Sequence, residues 1–230
     1  NITDYRCVLS LRDPEDKVKY HDDDEMWNKA ENALREVMNS LGIEYTEEIG
    51  EAAFYGPKLD IQIKNVFGKE DTLVTIQIDQ MLAEKFGMEY VDKDGQKKNP
   101  YIIHRTSIGC YERTLALLIE KYAGAFPTWL SPVQVKFLPV ADRHQDYCRE
   151  VMSKLQAAGV RCELDDRSEK TGFKIRSAQM EKVPYMIIVG DKDIEANTIS
   201  VRSRKNGDEG ATSVDEFLSR IVTEIATKAR

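Results

Sequence analysis

A chain of 230 residues, 41% hydrophobic and 32% charged, suits two modest globular domains and excludes disorder. It contains no apolar run near the roughly 20 residues that a membrane-spanning helix needs. Its net charge of −7 argues against a general nucleic-acid coat, but the charge is uneven: residues 1–130 carry 16 basic and 24 acidic side chains (−8), residues 131–230 carry 17 and 16 (+1), so the second part could read a specific polyanion.

The start, Asn1 to Arg6, lacks a signal peptide's basic and apolar regions and an initiator methionine, as expected of a processed chain or a fragment. Asp22 to Trp27 reads as a helix start, because acids there cap free amides and suit the helix dipole. Met26, Ala30, Ala33, Leu34, Val37 and Leu41 follow helical spacing up to a stop at Gly42. Residues 43–49 read as a strand. After the loop Glu51 to Lys58, Leu59, Ile61 and Ile63 alternate with Asp60, Gln62 and Lys64, a half-buried strand. A turn around Gly68 leads to a second strand, with Thr72, Val74, Ile76 and Ile78 expected on one face and Thr75, Gln77 and Asp79 on the other. Two such strands predict an antiparallel sheet whose polar face either lines a site or simply meets solvent.

A polar turn at Asp92 to Asn99 precedes the run Ile102 to Arg113, read as strand, glycine turn at Gly109, then helix to about Tyr122. His104 at the strand end can bind a metal or move a proton, and Arg113 in the helix's first turns can clamp a phosphate or carboxylate. Gly124 to Pro132 breaks all periodicity, and the domain boundary is set there, giving domains 1–130 and 131–230. Beyond it strands at 133–140, 160–165, 184–189 and 199–204 alternate with helices at 142–158, 172–182 and 214–227, with a turn at Gly190-Asp191. That pattern predicts an α/β domain with a covered, partly parallel sheet. The four cysteines, Cys7, Cys110, Cys148 and Cys162, show no C-x-x-C spacing, which makes a disulfide framework improbable and fits a reducing cytosol.

These motifs together resemble threonyl-tRNA synthetase: Phe54-Tyr55-Gly56-Pro57-Lys58, Thr75 to Asp79, Ile103-His104-Arg105 with Gly109 and Glu112-Arg113, Tyr122 to Val135, Arg167 to Arg176, Val183 to Met186 and Gly190-Asp191-Lys192. The resemblance covers essentially the whole chain. It implies the carboxy-terminal part of a class II catalytic core, an antiparallel sheet with helices, followed by a mixed-sheet α/β anticodon-binding domain. The implied activity is a threonine–tRNA ligase, forming threonyl-adenylate from threonine and ATP with Mg²⁺ and passing threonine to tRNA-Thr in the cytoplasm. Such chemistry relies on positioning and on charge stabilisation at phosphates.

Carried over residue by residue, Arg113 matches the ATP-facing arginine, and His104 matches one of three Zn²⁺ ligands that hold threonine. Tyr55 matches a tyrosine near threonine, and Lys58, Gln77 and Asp79 belong to the ATP or threonine pocket. In the second domain Arg176, Arg202 and Asp193 match positions used against anticodon bases, with Lys182 and Ser168 beside them; arginine forks and carboxylates can read base edges.

The chain departs from the family in three ways. The family's Cys-Pro-Gly-His and Asp-Ala-His segments are absent, so two zinc ligands and the α-phosphate arginine are missing; this chain alone is expected to bind no zinc and form no adenylate. Asp71 to Val74 replaces a Trp-Gln-Cys-Gly run, which puts Thr72 where a glutamine is expected, and Gln80 stands where the family has phenylalanine. Cys110 replaces a serine and would put a thiol near the zinc position. These changes keep open a non-catalytic RNA-binding or accessory paralogue. A homodimer is implied for the intact enzyme, whereas the fragment is compatible with a monomer.

Overall fold

The structure, a computed structural model, describes residues 2–229. The chain forms two compact units that divide between Glu120 and Lys121.

The first unit opens with β1 (Tyr5–Leu11), α1 (Asp24–Ser40), β2 (Tyr45–Ile49), β3 (Lys58–Lys64) and β4 (Glu70–Asp79). A one-turn α2 (Leu82–Lys85), a small hairpin of β5 (Tyr90–Val91) and β6 (Lys97–Lys98), β7 (Ile102–Arg105) and α3 (Tyr111–Tyr122) follow. The sheet order is β2-β1-β3-β4-β7, antiparallel except for the β1–β2 pair. The carboxylate of Asp23 accepts the Met26 N–H at 3.0 Å, and Asp24 and Glu25 fill the first turn of α1, as the acidic run predicts.

The buried stripe of α1 is rotated from the expected one. Trp27, Ala30, Leu34 and Met38 are buried, whereas Ala33 is exposed and Val37 and Leu41 are 52% and 64% exposed. Leu34 and Met38 pack on Cys7, Leu9 and Leu11 of β1, and Trp27 turns toward Tyr20 and Ala52. The heavier side chains on that side, Trp27 and Met38, bury more apolar surface and set the rotation. The sequence reading also left β1 unassigned, although it lies inside the sheet with Val8 and Leu9 wholly buried. Its residues Cys7 to Leu11 are buried on both faces and so carry no alternation.

A second correction concerns Thr72. The β3–β4 register shifts between Ile61 and Gln62, so Ile61 faces Val74 but Gln62 faces Thr72. This β-bulge reverses the alternation beyond it. Thr72 joins the polar face with Thr75 and Gln77, and its hydroxyl donates to Gln62 Oε1 at 3.0 Å.

The second unit contains β8 (Val135–Pro139), a 3₁₀ turn at Asp142–His144, α4 (Gln145–Ala157), β9 (Cys162–Leu164), α5 (Thr171–Met180), β10 (Tyr185–Val189), α6 (Asp191–Ala196), β11 (Thr198–Ser203), β12 (Gly207–Ser213) and α7 (Val214–Ala226). The sheet order is β12-β11-β10-β8-β9, with β10, β8 and β9 parallel and β11 and β12 antiparallel, a mixed sheet as expected. Phe137, Ile187, Ile199 and Val201 face α4 and α7, while Leu138 and Met186 face Ala178 of α5. Gly190-Asp191 opens α6 rather than a simple turn, and β12 was not legible because Gly207 to Ser213 lacks apolar alternation. Among the described residues no helix is long and apolar enough to cross a membrane.

Candidate functional site

Pairing across three strands puts Lys58 opposite Gln77, and Gln77 opposite His104. Directly paired residues point to the same face, so the three form a row across the polar side of the first sheet. Tyr55 reaches this row from the loop before β3. Gly56 makes that possible, since a Cβ there would lie 1.7 Å from the Ile78 carbonyl oxygen, and only glycine lets the loop lie so close on β4. The Tyr55 hydroxyl donates to Gln77 Oε1 at 2.5 Å, and its ring centroid is 5.7 Å from that of His104. Burial pushes the Tyr55 phenol above its ordinary pKa.

His104 Nε2 lies 2.9 Å from Asp79 Oδ2. Asp79 is fully buried, and its other oxygen accepts the N–H groups of Met81 at 3.0 Å and Leu82 at 2.9 Å. Its carboxylate therefore serves His104 and the start of α2. Lys58 is held away from Asp79, with its ammonium 2.9 Å from Asp60 Oδ2.

The turn into α3 packs onto the bulge of β4. Gly109 has φ +68°, and a Cβ there would sit 1.8 Å from the Leu73 carbonyl oxygen. Behind that turn Arg113 donates to the Thr72 carbonyl. An open cavity of about 390 Å³ results, lined by Thr72, Thr75, Gln77, His104, Cys110 and Arg113 among others. Four expected site residues thus meet in one cavity: Gln77, His104, Cys110 and Arg113. Tyr55 and Asp79 stand behind it as hydrogen-bond partners of Gln77 and His104. Cys110 is exposed, and its thiol donates to Glu112 at 2.9 Å, holding that carboxyl below its ordinary pKa. The sequence reading noted Thr72 in place of a glutamine but put it on the wrong face, because of the bulge, and it missed Asp60, because its partner Ser10 lies on the unassigned β1.

The donor chemistry here fits one metal ligand and no more. His104 has one ring nitrogen paired to a buried carboxylate, the arrangement metal-ligating histidines use, but among the described residues no three His, Cys, Asp or Glu side chains converge. A zinc site needs three or four donors.

In the second unit Arg176 is exposed on α5 and Ser168 on the loop before it. Arg202 projects from β11, with Nη1 4.0 Å from Asp208 Oδ2 and a buried, unpartnered Nε. The remaining two positions have internal tasks. Asp193 is 9% exposed; it accepts the Gly190 N–H at 2.9 Å, capping α6, and the Ser200 hydroxyl at 2.7 Å. Both its oxygens are thus engaged within the fold. Lys182 adopts φ +58° and donates to the Ala123 carbonyl.

Residues 13–122 match the tRNA synthetase class II core domain (G, H, P, S and T), and residues 134–224 match the anticodon binding domain. The chain belongs to the class II tRNA synthetases, joining part of a core to an anticodon-binding domain. Within that class it is 60% identical over 220 residues to a threonine–tRNA ligase of Clostridium perfringens, an alignment covering 96% of this chain and 34% of the relative. It is 52% identical over 226 residues to the threonine–tRNA ligase of Staphylococcus aureus, covering 98% and 35%. The chain therefore spans about a third of the length of these relatives. A crystal structure of the RNA-binding domain of threonyl-tRNA synthetase from Cryptosporidium parvum Iowa II superposes with a TM-score of 0.82 at 28% identity, covering 95% of this chain and 55% of that one.

Proposed function

We propose that this chain is the carboxy-terminal part of a threonine–tRNA ligase, with the cavity over β4 as one wall of the adenylating site and the second unit as the anticodon reader. The observation that carries this reading is the convergence of Gln77, His104 and Arg113 on a single cavity. Arg113 supplies a fixed cation for the phosphates of ATP with Mg²⁺, where developing charge must be stabilised. Gln77 has its carbonyl engaged by Tyr55 and so turns its amide N–H groups to the ligand. His104, oriented by Asp79, is assigned as one ligand of a Zn²⁺ that would hold threonine; the other ligands lie outside these residues. Lys58 lends positive charge at the edge of the pocket. Arg176 and Arg202 are assigned to anticodon bases of tRNA-Thr, with Ser168 beside them, while Asp193 and Lys182 shape the surface from within. The intact enzyme is read as a cytoplasmic homodimer.

The test has two parts. The full-length enzyme should charge tRNA-Thr with threonine, and a different preferred amino acid would reject the assignment. The present chain should bind tRNA-Thr weakly, and Arg176→Glu and Arg202→Glu should each weaken that binding by about 1–3 kcal/mol at fixed salt. Unchanged binding in both variants would reject the anticodon surface.

A further inference from the structure

Asp60 lies at the centre of the polar face of the first sheet and is only 2% exposed. Three side chains converge on it: Ser10 Oγ at 2.8 Å and Lys58 Nζ at 2.9 Å on Oδ2, and Thr75 Oγ1 at 2.6 Å on Oδ1. They come from three strands, β1, β3 and β4, and Thr75 lines the candidate cavity.

An ionised carboxylate only accepts hydrogen bonds, so both hydroxyls donate to it. That spends the one proton of Thr75 and leaves its oxygen lone pairs for the cavity. The Lys58 ammonium has three protons and gives one direction to Asp60. A buried carboxylate without a cation is strongly disfavoured, so the charge of Asp60 keeps the Lys58 head group at the sheet rather than in solvent.

We propose that Asp60 is a positioning residue of this site, fixing the Lys58 ammonium and the direction of the Thr75 hydroxyl. The face then presents a held cation on β3 and an oxygen acceptor on β4. The ligand group opposite Thr75 must be a hydrogen-bond donor, a hydroxyl or an amine, rather than a phosphate oxygen. This inference rests on reading the cavity as ligand-facing; the clamp on Lys58 stands apart from any ligase activity.

Two experiments separate these layers. In the present chain, pulse acylation of lysines followed by mass spectrometry should modify Lys58 at least fivefold more slowly than exposed Lys93. Asp60→Asn should raise the Lys58 rate at least fivefold, whereas Ser10→Ala should not. Equal rates at Lys58 and Lys93 in the unsubstituted chain would overturn the proposal, whether or not the variant folds. In the full-length enzyme, ATP–pyrophosphate exchange should show a KM raised at least tenfold for ATP or threonine in Asp60→Asn and in Thr75→Ala. The double variant should be no worse than the more severe single one, and additive losses would overturn the coupling. If the unsubstituted enzyme shows no threonine-dependent exchange, the ligase reading fails while the labelling result still decides the role of Asp60.

Discussion

The two units bury their sheets differently. In the second, β8 and β10 send alternate residues to apolar layers on both faces, so Phe137 and Leu138, or Ile187 and Met186, are all buried. Its charged groups of interest are left to the exposed side of α5, helix ends, loops and the outer part of β11. In the first, one face packs on α1, while the other carries Ser10, Lys58, Asp60, Gln62, Thr72, Thr75, Gln77, Asp79 and His104 linked by side-chain hydrogen bonds and ion pairs. No residue of α3 is buried. A sheet covered on both sides gains apolar burial and can bind only at its rim; a sheet with a polar face gives up that burial and gains a place for chemistry.

The largest expected effect tests the apolar side of this contrast. Phe217→Ala removes a ring that is 1% exposed in the core beneath α7 and should cost about 3–5 kcal/mol by chemical denaturation. In the first unit Leu34→Ala should cost about 2–4 kcal/mol, whereas Val37→Ala, at a position 52% exposed, should stay within about 0.5 kcal/mol. Equal losses at Leu34 and Val37 would restore the helix face first expected from the spacing.

A smaller effect of opposite sign is expected at Gln80, 7% exposed with its Oε1 unpartnered. Gln80→Met should raise stability by about 1 kcal/mol, because a similar volume remains and the orphaned carbonyl goes; a loss would indicate that this oxygen has a bound partner.

Acid should act on the second unit through Asp165 and Asp191. Arg167 holds the Asp165 carboxyl below its ordinary pKa, and Arg143, then His144, hold that of Asp191 lower still. A depressed folded pKa gives stabilisation that is present above the unfolded value, about 3.9, and is lost as pH falls through the folded one. The urea midpoint should therefore fall below about pH 4, and less steeply in Asp165→Asn.

Thiol labelling gives the mildest test. Cys110 is exposed and should react first, while burial pushes the Cys148 and Cys162 thiols up to about 12, so both should stay silent at pH 8 until the second unit unfolds. Early labelling of Cys148 would show that its core opens more readily than its packing suggests.

Much of the fold was legible because it is written in short-range chemistry. The acidic cap at Asp23, the alternation of Leu59 to Lys64 and the strand–helix rhythm after Val133 each depend on residues a few positions apart. Gln77, His104, Cys110 and Arg113 could be picked from the sequence as candidates and they line one cavity, but the geometry that brings them together could not be read there. Thr72 was assigned to the wrong face because a one-residue bulge is set by cross-strand pairing. Asp193 looked free to meet a base because nothing local announces that Gly190 and Ser200 engage both its oxygens.

The sequence by itself determined most of the longer helices and strands and the family, through periodicity, caps, turns and ordered motifs. Only the tertiary structure decided that β1 runs inside the first sheet, that Ser10, Lys58 and Thr75 close on Asp60, and that Asp79 orients His104. The physical reason is the same in each case: these groups meet through register between strands far apart in the chain, and register is fixed by the burial of whole faces rather than by any local run of residues.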